Sequence, residues 1–209
     1  MIKTRFALLI LLFLDYYLYF LTNKYILTDE IYKGYLLNQY SENTVLQILE
    51  KINWIKSYID FLVPFLLLLK IFCVLMIIQI GLFLYDIKVG IKQVLRAIIW
   101  SEYVFLISPI ITLFWFLIFN RNYGINDVKY FPPFSLLEVF QPEMLEEGII
   151  YILQSINLFE IAYVIILSKK ISQACKLDFD EGLKIISSSY IPFFLLWLVI
   201  VAFMLLIIA

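Results

Sequence analysis

Long apolar runs separated by polar segments are the dominant pattern of the chain. A membrane-spanning helix needs about 20 mostly apolar residues, and five runs are close to this length. They cover residues 6–22, 61–85, 97–119, 148–168 and 185–208. The pattern predicts an all-α fold, a polytopic membrane helix bundle with five transmembrane helices, organised as a single integral membrane domain over residues 1–209.

The segment before the second run follows a different pattern. In "SENTVLQILEKINWIKSYID" (41–60) apolar residues recur at helical spacing, with polar residues on the other faces. The apolar positions are Val45, Ile48, Leu49, Ile52, Ile55 and Ile59. The spacing predicts an amphipathic helix over residues 44–60. Such a helix lies in the membrane interface or, alternatively, binds a partner.

The distribution of basic residues predicts the orientation of the helices. With the N-terminus inside, the inner segments are 1–5, 86–96 and 169–184, and the outer segments are 23–60 and 120–147. The inner segments hold nine basic residues, against six in the much longer outer segments. The inner ones are Lys3, Arg5, Lys88, Lys92, Arg96, Lys169, Lys170, Lys176 and Lys184. The positive-inside rule therefore predicts a cytoplasmic N-terminus and an outer C-terminus.

Composition narrows the classes of function. Hydrophobic residues make up 64% of the chain, and it contains no histidine. The absence of histidine excludes imidazole metal ligands and the Ser-His and Cys-His nucleophile pairs. The two cysteines, Cys73 in an apolar run and Cys175 in a lysine-flanked loop, are predicted to be free thiols. We therefore expect no enzymatic activity, cofactor or metal. A net charge of −1 also argues against nucleic-acid binding.

Four ionisable residues fall within the predicted spans: Asp15, Lys70, Glu102 and Glu160. Charges at such depth are costly and indicate functional sites by default. Counting helical rise, Asp15 and Lys70 both lie near the midplane, so we predict an ion pair between them. Glu102 and Glu160 are predicted closer to the inner face. Two interpretations stay open: a carboxylate pair facing a cavity, as in proton-coupled transport, or protonated groups hydrogen-bonded to nearby hydroxyls.

The entry of the last run, "EGLKIISSSYIPFFLLW" (181–197), is unusually polar. Pro192 cannot donate a hydrogen bond to the carbonyl of Ser188. Serine hydroxyls can compensate for such a break, and small side chains allow close helix packing. We predict a kinked, closely packed helix entry with a bend near 188–192. It is formed by Ser187, Ser188, Ser189, Tyr190 and Pro192.

Residues 88–107 align with residues 176–195 at an offset of 88. The identical pairs are Lys88/Lys176, Leu95/Leu183, Ile98/Ile186, Ser101/Ser189 and Phe105/Phe193. In both copies the chain comes from outside, makes a short basic turn and returns. The alignment is interpreted either as a duplication or as a coincidence between two apolar hairpins.

The segment "GLKIISSSYIPF" after a polar turn resembles the Yip family of membrane proteins (Ypt/Rab-interacting type), especially its bacterial members. The basic residue, small/aromatic pair and proline correspond to Lys184, Ser189-Tyr190 and Pro192. In the first copy Arg96, Trp100 and Ser101 match, whereas the proline falls later, at Pro109. The resemblance covers roughly residues 60–209. It implies a Yip-like core in an integral membrane protein.

These observations together favour a non-enzymatic, multi-pass protein that organises the membrane or binds a partner. The alternative is a small transporter or permease subunit in which Asp15, Lys70, Glu102 and Glu160 form a polar pathway. The expected location is a cell membrane, the bacterial cytoplasmic membrane in particular. Expected partners are the lipid bilayer, an unidentified membrane protein and, as a further candidate, a second copy of the chain.

Overall fold

The computed structural model describes residues 4–208. Lys3, one of the cations counted on the inner side, lies outside the described residues. The α-helices are α1 (Thr4–Tyr25), α2 (Asp29–Leu37), α3 (Glu42–Leu84), α4 (Ile91–Glu102), α5 (Ile107–Phe114), α6 (Ile125–Lys129), α7 (Glu147–Ser155), α8 (Leu158–Cys175) and α9 (Phe179–Ile208). Between residues 4 and 208 the fold is all-helical, and an isolated bridge between Ser135 and Asn157 is the single extended pairing.

Within residues 4–208, four helical stretches are long and apolar enough to cross a membrane. They are Thr4–Tyr25, Leu62–Leu84, Ile91–Phe119 and Phe179–Ile207. The third combines α4 and α5 with a 3-10 segment (Tyr103–Leu106) and a π-helical turn (Trp115–Phe119). It begins at Ile91, six residues before the start predicted from hydropathy, since its first turns belong to an amphipathic helix.

The predicted span 148–168 is divided into α7 and α8. Ile156 and Asn157 between them are extended, and the Asn157 side chain accepts a hydrogen bond from the backbone N–H of Glu160, capping α8. The backbone around Ser135 fills the gap: Leu136 N–H donates to the Ile156 carbonyl at 3.0 Å. Leu158 N–H donates to the Phe134 carbonyl at 3.1 Å. These bonds satisfy groups that an interrupted helix would otherwise leave open.

The predicted amphipathic helix and the second span form one 43-residue helix, α3. At about 1.5 Å per residue it is roughly 64 Å long, twice a bilayer's hydrocarbon core. Its N-terminal half packs against α2, where Leu36, Val45 and Leu49 are buried together. Part of the apolar face predicted to lie in the interface is therefore covered by protein.

Two helical hairpins, α3–α4 and α8–α9, share one geometry at their turns. Asp86 and Lys176 each adopt a left-handed backbone conformation. The next residue donates back across the helix end in both cases, Ile87 to Leu82 and Leu177 to Ser172, each at 2.9 Å. The register of α8 on α3 is thus 90 residues. That of α9 on α4 is 88, because α4 begins five residues after Asp86 whereas α9 begins three residues after Lys176.

The hairpins also pack on each other reciprocally. α3 contacts α9, and α8 contacts α4, while α1 packs against α3, α4 and α5. Side chains from these helices form the main core, with Ile98, Tyr163, Leu167, Ile171 and Ile185 at most 1% exposed. The ionisable side chains within the apolar helices lie at the same height along the bundle as this core.

Candidate functional site

A salt bridge joins α3 to the end of α4. Lys70 Nζ donates to Glu102 Oε2 at 2.8 Å, and the Glu102 side chain is only 1% exposed. A lone carboxylate at that depth would be costly, so the ammonium of Lys70 is the partner that makes its burial tolerable. The contact links the second and third candidate membrane helices.

Aromatic rings cover the same ammonium group. Lys70 Nζ lies 3.6 Å from the centroid of the Phe105 ring and 5.3 Å from that of Tyr163. The negative faces of the rings add a cation–π attraction to the ion pair. The side chain of Lys70 is 39% exposed.

The predicted pairing of Asp15 with Lys70 is replaced by the pairing of Lys70 with Glu102. The early start of α4 accounts for the depth of Glu102. Glu102 lies eleven residues after Ile91 and therefore about 17 Å along its helix, deeper than the estimate from hydropathy. Asp15 is half-buried in α1, and among the described residues it forms no ion pair with Lys70.

A second polar contact joins α8 to α9. The Tyr190 hydroxyl donates to Glu160 Oε1 at 2.6 Å. Asn157, by capping α8, fixes Glu160 in the first turn of the helix. Tyr190 is buried and its ring lies 5.3 Å from that of Tyr163. Glu102 and Glu160, considered above as a carboxylate pair, thus have separate partners.

The two polar contacts occupy equivalent positions. Glu160 of α8 is the counterpart of Lys70 in α3 at the 90-residue register. Tyr190 of α9 is the counterpart of Glu102 in α4 at the 88-residue register. Each hairpin is therefore bridged at the same level, once by a salt bridge and once by a tyrosine–carboxylate hydrogen bond. Ser101 and Ser189 also correspond, and each donates to the carbonyl four residues earlier.

A cavity of about 400 Å³ lies beside the second contact. Its walls combine aliphatic, aromatic and polar side chains from α3, α7, α8 and α9. They are Leu66, Leu69, Lys70, Cys73, Val74, Tyr151, Glu160, Tyr190, Phe193, Phe194 and Trp197. A groove of about 310 Å³ on the other side shares Glu160, Tyr190 and Phe194 with it. The Glu160–Tyr190 hydrogen bond therefore lies in the wall between two open spaces.

The serine-rich entry of α9 contacts the C-terminal end of α3. A Cβ atom built on Gly81 would lie 2.7 Å from Ser189 Cβ, so the two helices approach closely there. Tyr85 donates to Ser188 Oγ at 3.2 Å. Ser187 is half-buried, and Pro192 is exposed within an unbroken α9.

The hydroxyls do not compensate for Pro192 in the way predicted. Ser188 and Ser189 both donate to the carbonyl of Ile185, at 3.1 and 2.7 Å, rather than to that of Ser188. A hydroxyl reaches backward along its own helix to the carbonyl three or four residues earlier, which is Ile185 for these two serines. The bend near 188–192 stays a prediction.

Sequence reasoning missed Phe105 and Tyr163 as parts of the site. Both were hidden among the many aromatic residues of apolar runs. The usable signal was Tyr163, a mid-helix tyrosine whose hydroxyl needs a partner when buried. It is 0% exposed, and its hydroxyl and Glu102 Oε1 have no described hydrogen-bond partner.

A separate polar pocket of about 590 Å³ lies where α1, α2 and α3 meet, outside the membrane stretch of α3. Lys56 Nζ donates to the Leu27 carbonyl at 3.0 Å and lies 4.4 Å from the Tyr32 ring centroid. Burial lowers the pKa of Lys56. These contacts tie α3 to the α1–α2 loop and to α2.

Comparisons with protein-family models, curated proteins and solved structures gave no match. Across residues 4–208, no three Asp, Glu, Cys or His side chains are placed to hold a metal ion. The polar contacts, the cavity and the helix arrangement are therefore the basis for a functional proposal.

Proposed function

We propose that the chain is a non-enzymatic, multi-pass membrane protein with a Yip-like core, which organises the membrane or binds another membrane protein. The observation that carries the proposal is the Lys70–Glu102 salt bridge with its 1% exposed carboxylate. A proton or solute pathway needs polar groups that exchange with water. Here the Lys70 ammonium and the Glu102 carboxylate bind each other and hold α3 and α4 together.

We further propose five membrane crossings, with the interrupted α7–α8 unit as the fourth. α7 packs along α9 and α8 packs along the same helix, so the two short helices together run antiparallel to the 30 residues of α9. Gly148 of α7 lies against the Ala202 carbonyl, near the C-terminal end of α9. An odd number of crossings and the basic turns give an inner N-terminus and an outer C-terminus in a bacterial cytoplasmic membrane.

The proposed topology can be tested by cysteine labelling in intact cells. Single cysteines at Asn38 and Met144 on the proposed outer side are expected to react with a membrane-impermeant maleimide. A cysteine at Lys92 is expected to react only after the membrane is permeabilised. Labelling of residue 92 in intact cells would overturn the orientation.

The proposed role is tested by measuring the abundance of the protein and its proton flux separately. Glu102→Gln and Glu160→Gln variants, with exposed Glu143→Gln as the control, are measured for abundance and for proton flux in proteoliposomes. We expect reduced abundance for Glu102→Gln and no flux in any of the proteins. Recovery of one membrane protein by cross-linking in cells would identify the partner. Flux that needs Glu102 or Glu160 would refute the proposal.

The second candidate is a small transporter or permease subunit. The break between α7 and α8 favours it, because interrupted helices beside an ionisable residue often form substrate sites in transporters. Glu160 lies three residues after Asn157 in that break. The flux measurement separates the two roles, since a transporter moves an ion or solute in the unmodified protein.

A further inference from the structure

The cavity beside Glu160 lies where the two hairpins carry side chains of very different size at one pair of equivalent positions. Cys73 of α3 is the counterpart of Tyr163 of α8 in the 90-residue register. The Tyr163 ring fills its side of the bundle and packs 4.9 Å from the Phe105 ring centroid. Phe193, the counterpart of Phe105, and Cys73 both line the cavity. A small thiol where the other half has a phenol ring leaves the space open.

Glu160 places a carboxyl group at the cavity, and no ion pair holds it. One carboxylate oxygen accepts the Tyr190 hydroxyl, and Glu160 forms no salt bridge among the described residues. Lys70 also lines the cavity, yet its ammonium is bound to Glu102 and lies on Phe105. The charge distribution therefore favours a cationic occupant.

The walls suit a cation that is also hydrophobic. Five aromatic side chains line the cavity: Tyr151, Tyr190, Phe193, Phe194 and Trp197. Aromatic faces attract organic cations through their quadrupole, most strongly where water is absent. Leu66, Leu69 and Trp197 are all exposed on the apolar outer surface of the bundle, so the cavity can be entered from the lipid. Its volume of about 400 Å³ is within the usual range for small-molecule sites.

We propose that this cavity binds a lipophilic organic cation of the aromatic phosphonium or quaternary ammonium class. The cation pairs with Glu160, and its hydrocarbon substituents contact the aromatic walls. The site is additional to the proposed membrane-organising role, because binding requires neither a partner protein nor transport.

Two probe ions of nearly the same shape and opposite charge test the proposal. Equilibrium dialysis of the purified full chain in a neutral detergent would measure binding of tetraphenylphosphonium and of tetraphenylborate. We expect saturable binding of the phosphonium, about one per chain, and at least about tenfold weaker binding of the borate. Equal or tighter binding of the borate, or no saturable phosphonium binding, would overturn the proposal.

Side-chain variants assign the binding to this cavity. Glu160→Gln is expected to weaken phosphonium binding by about tenfold or more, and Trp197→Ala by a few-fold. Glu143→Gln and Trp54→Ala remove an exposed acid and an exposed tryptophan remote from the cavity, and both are expected to bind normally. Unchanged affinity in a folded Glu160→Gln protein contradicts the proposed contact.

If Glu160→Gln fails to fold, two substitutions of Cys73 test the site instead, one that fills the cavity and one that leaves it open. Cys73→Tyr places in α3 the residue type that α8 carries at the equivalent position, and it is expected to abolish saturable phosphonium binding. Cys73→Ala leaves the space open and is expected to bind like the original chain. Undiminished binding by folded Cys73→Tyr would show that the cation binds elsewhere and would refute the site.

Discussion

In the hairpin of α3 and α4 a lysine meets a glutamate, whereas at the equivalent positions of α8 and α9 a glutamate meets a tyrosine. The first contact balances its own charges and is sealed by Phe105 and Tyr163. The second leaves a carboxylate beside open space. The same backbone geometry therefore supports a closed structural bridge in one half and an accessible polar group in the other.

The correspondence also bears on the origin of the fold. The two registers match the starts of α4 and α9, the left-handed turn residues, the bridging pairs and the serines Ser101 and Ser189. A chance similarity of two apolar hairpins predicts matched composition but not matched tertiary contacts. The reciprocal packing of α3 on α9 and of α8 on α4 is the arrangement expected of a duplicated hairpin related by an axis along the membrane normal.

Removing the buried carboxylate of the first hairpin is expected to have the largest effect. Glu102→Ala leaves the Lys70 ammonium without its counter-ion, at a cost of about 3–5 kcal/mol. The measurement is the free energy of unfolding in detergent, with exposed Glu143→Ala as the control. A double variant, Lys70→Leu with Glu102→Leu, removes both charges and is expected to recover most of the loss. No difference between Glu102→Ala and the control would contradict the structural role of the bridge.

Breaking the second bridge is expected to cost less. Tyr190→Phe removes the hydroxyl that donates to Glu160 at 2.6 Å, and hydrogen bonds to charged groups contribute about 1.5–3 kcal/mol. Because Glu160 faces open space, water can replace part of that bond, so we expect the lower end of the range. Thermal unfolding is compared with Tyr17→Phe, which changes an exposed tyrosine of α1. A loss as large as that of Glu102→Ala would mean that the two hairpins do not differ as described.

The close packing of α9 against α8 can be tested at Gly182. A Cβ atom there would lie 2.8 Å from the Ser168 carbonyl oxygen and would also clash with the Ser172 hydroxyl. Its counterpart in the first hairpin is Val94, a full-sized residue. We expect Gly182→Ala to destabilise the protein by about 1–2 kcal/mol, after allowing for the helix propensity of alanine. Gly34→Ala, with nothing within 4 Å, is the control and is expected to be neutral or stabilising. Tolerance of Gly182→Ala would indicate looser packing.

The helices were predictable where length and apolar content determine them. Residues 4–25 and 62–84 follow directly from such runs. The division of the run 148–168 into α7 and α8 was not predictable, because it depends on backbone hydrogen bonds from Phe134 and Leu136 in a distant loop. The one local signal was Asn157, a favoured cap residue inside an apolar stretch.

The site was predictable in its residue types but not in its pairings. Asp15, Lys70, Glu102 and Glu160 are conspicuous because charges in apolar runs are rare. Counting along each helix gives depth only. The direction in which Lys70 points depends on how α3 is rotated against α1 and α4, and that rotation is set by packing of the whole core. Depth alone therefore favoured Asp15 where the fold selects Glu102.

The exposed ion pair of Lys129 and Glu147 is expected to contribute least to stability. It provides a reference for the buried pair of Lys70 and Glu102. Lys129 Nζ and Glu147 Oε1 lie 2.6 Å apart, with side chains 44% and 45% exposed. Water and salt screen such a pair, so we expect Lys129→Met to cost about 0.2–1 kcal/mol, less at high salt.

The hydrogen bond from Lys129 to Glu147 raises the pKa of Lys129 above 10.5. Because the folded-state pKa is the higher one, the contribution is complete below about pH 10.5 and is lost as pH rises through the folded-state value. Unfolding measured across pH and salt, with and without the substitution, gives this contribution directly. An effect as large as that of Glu102→Ala would show that burial is not what makes the Lys70–Glu102 bridge strong.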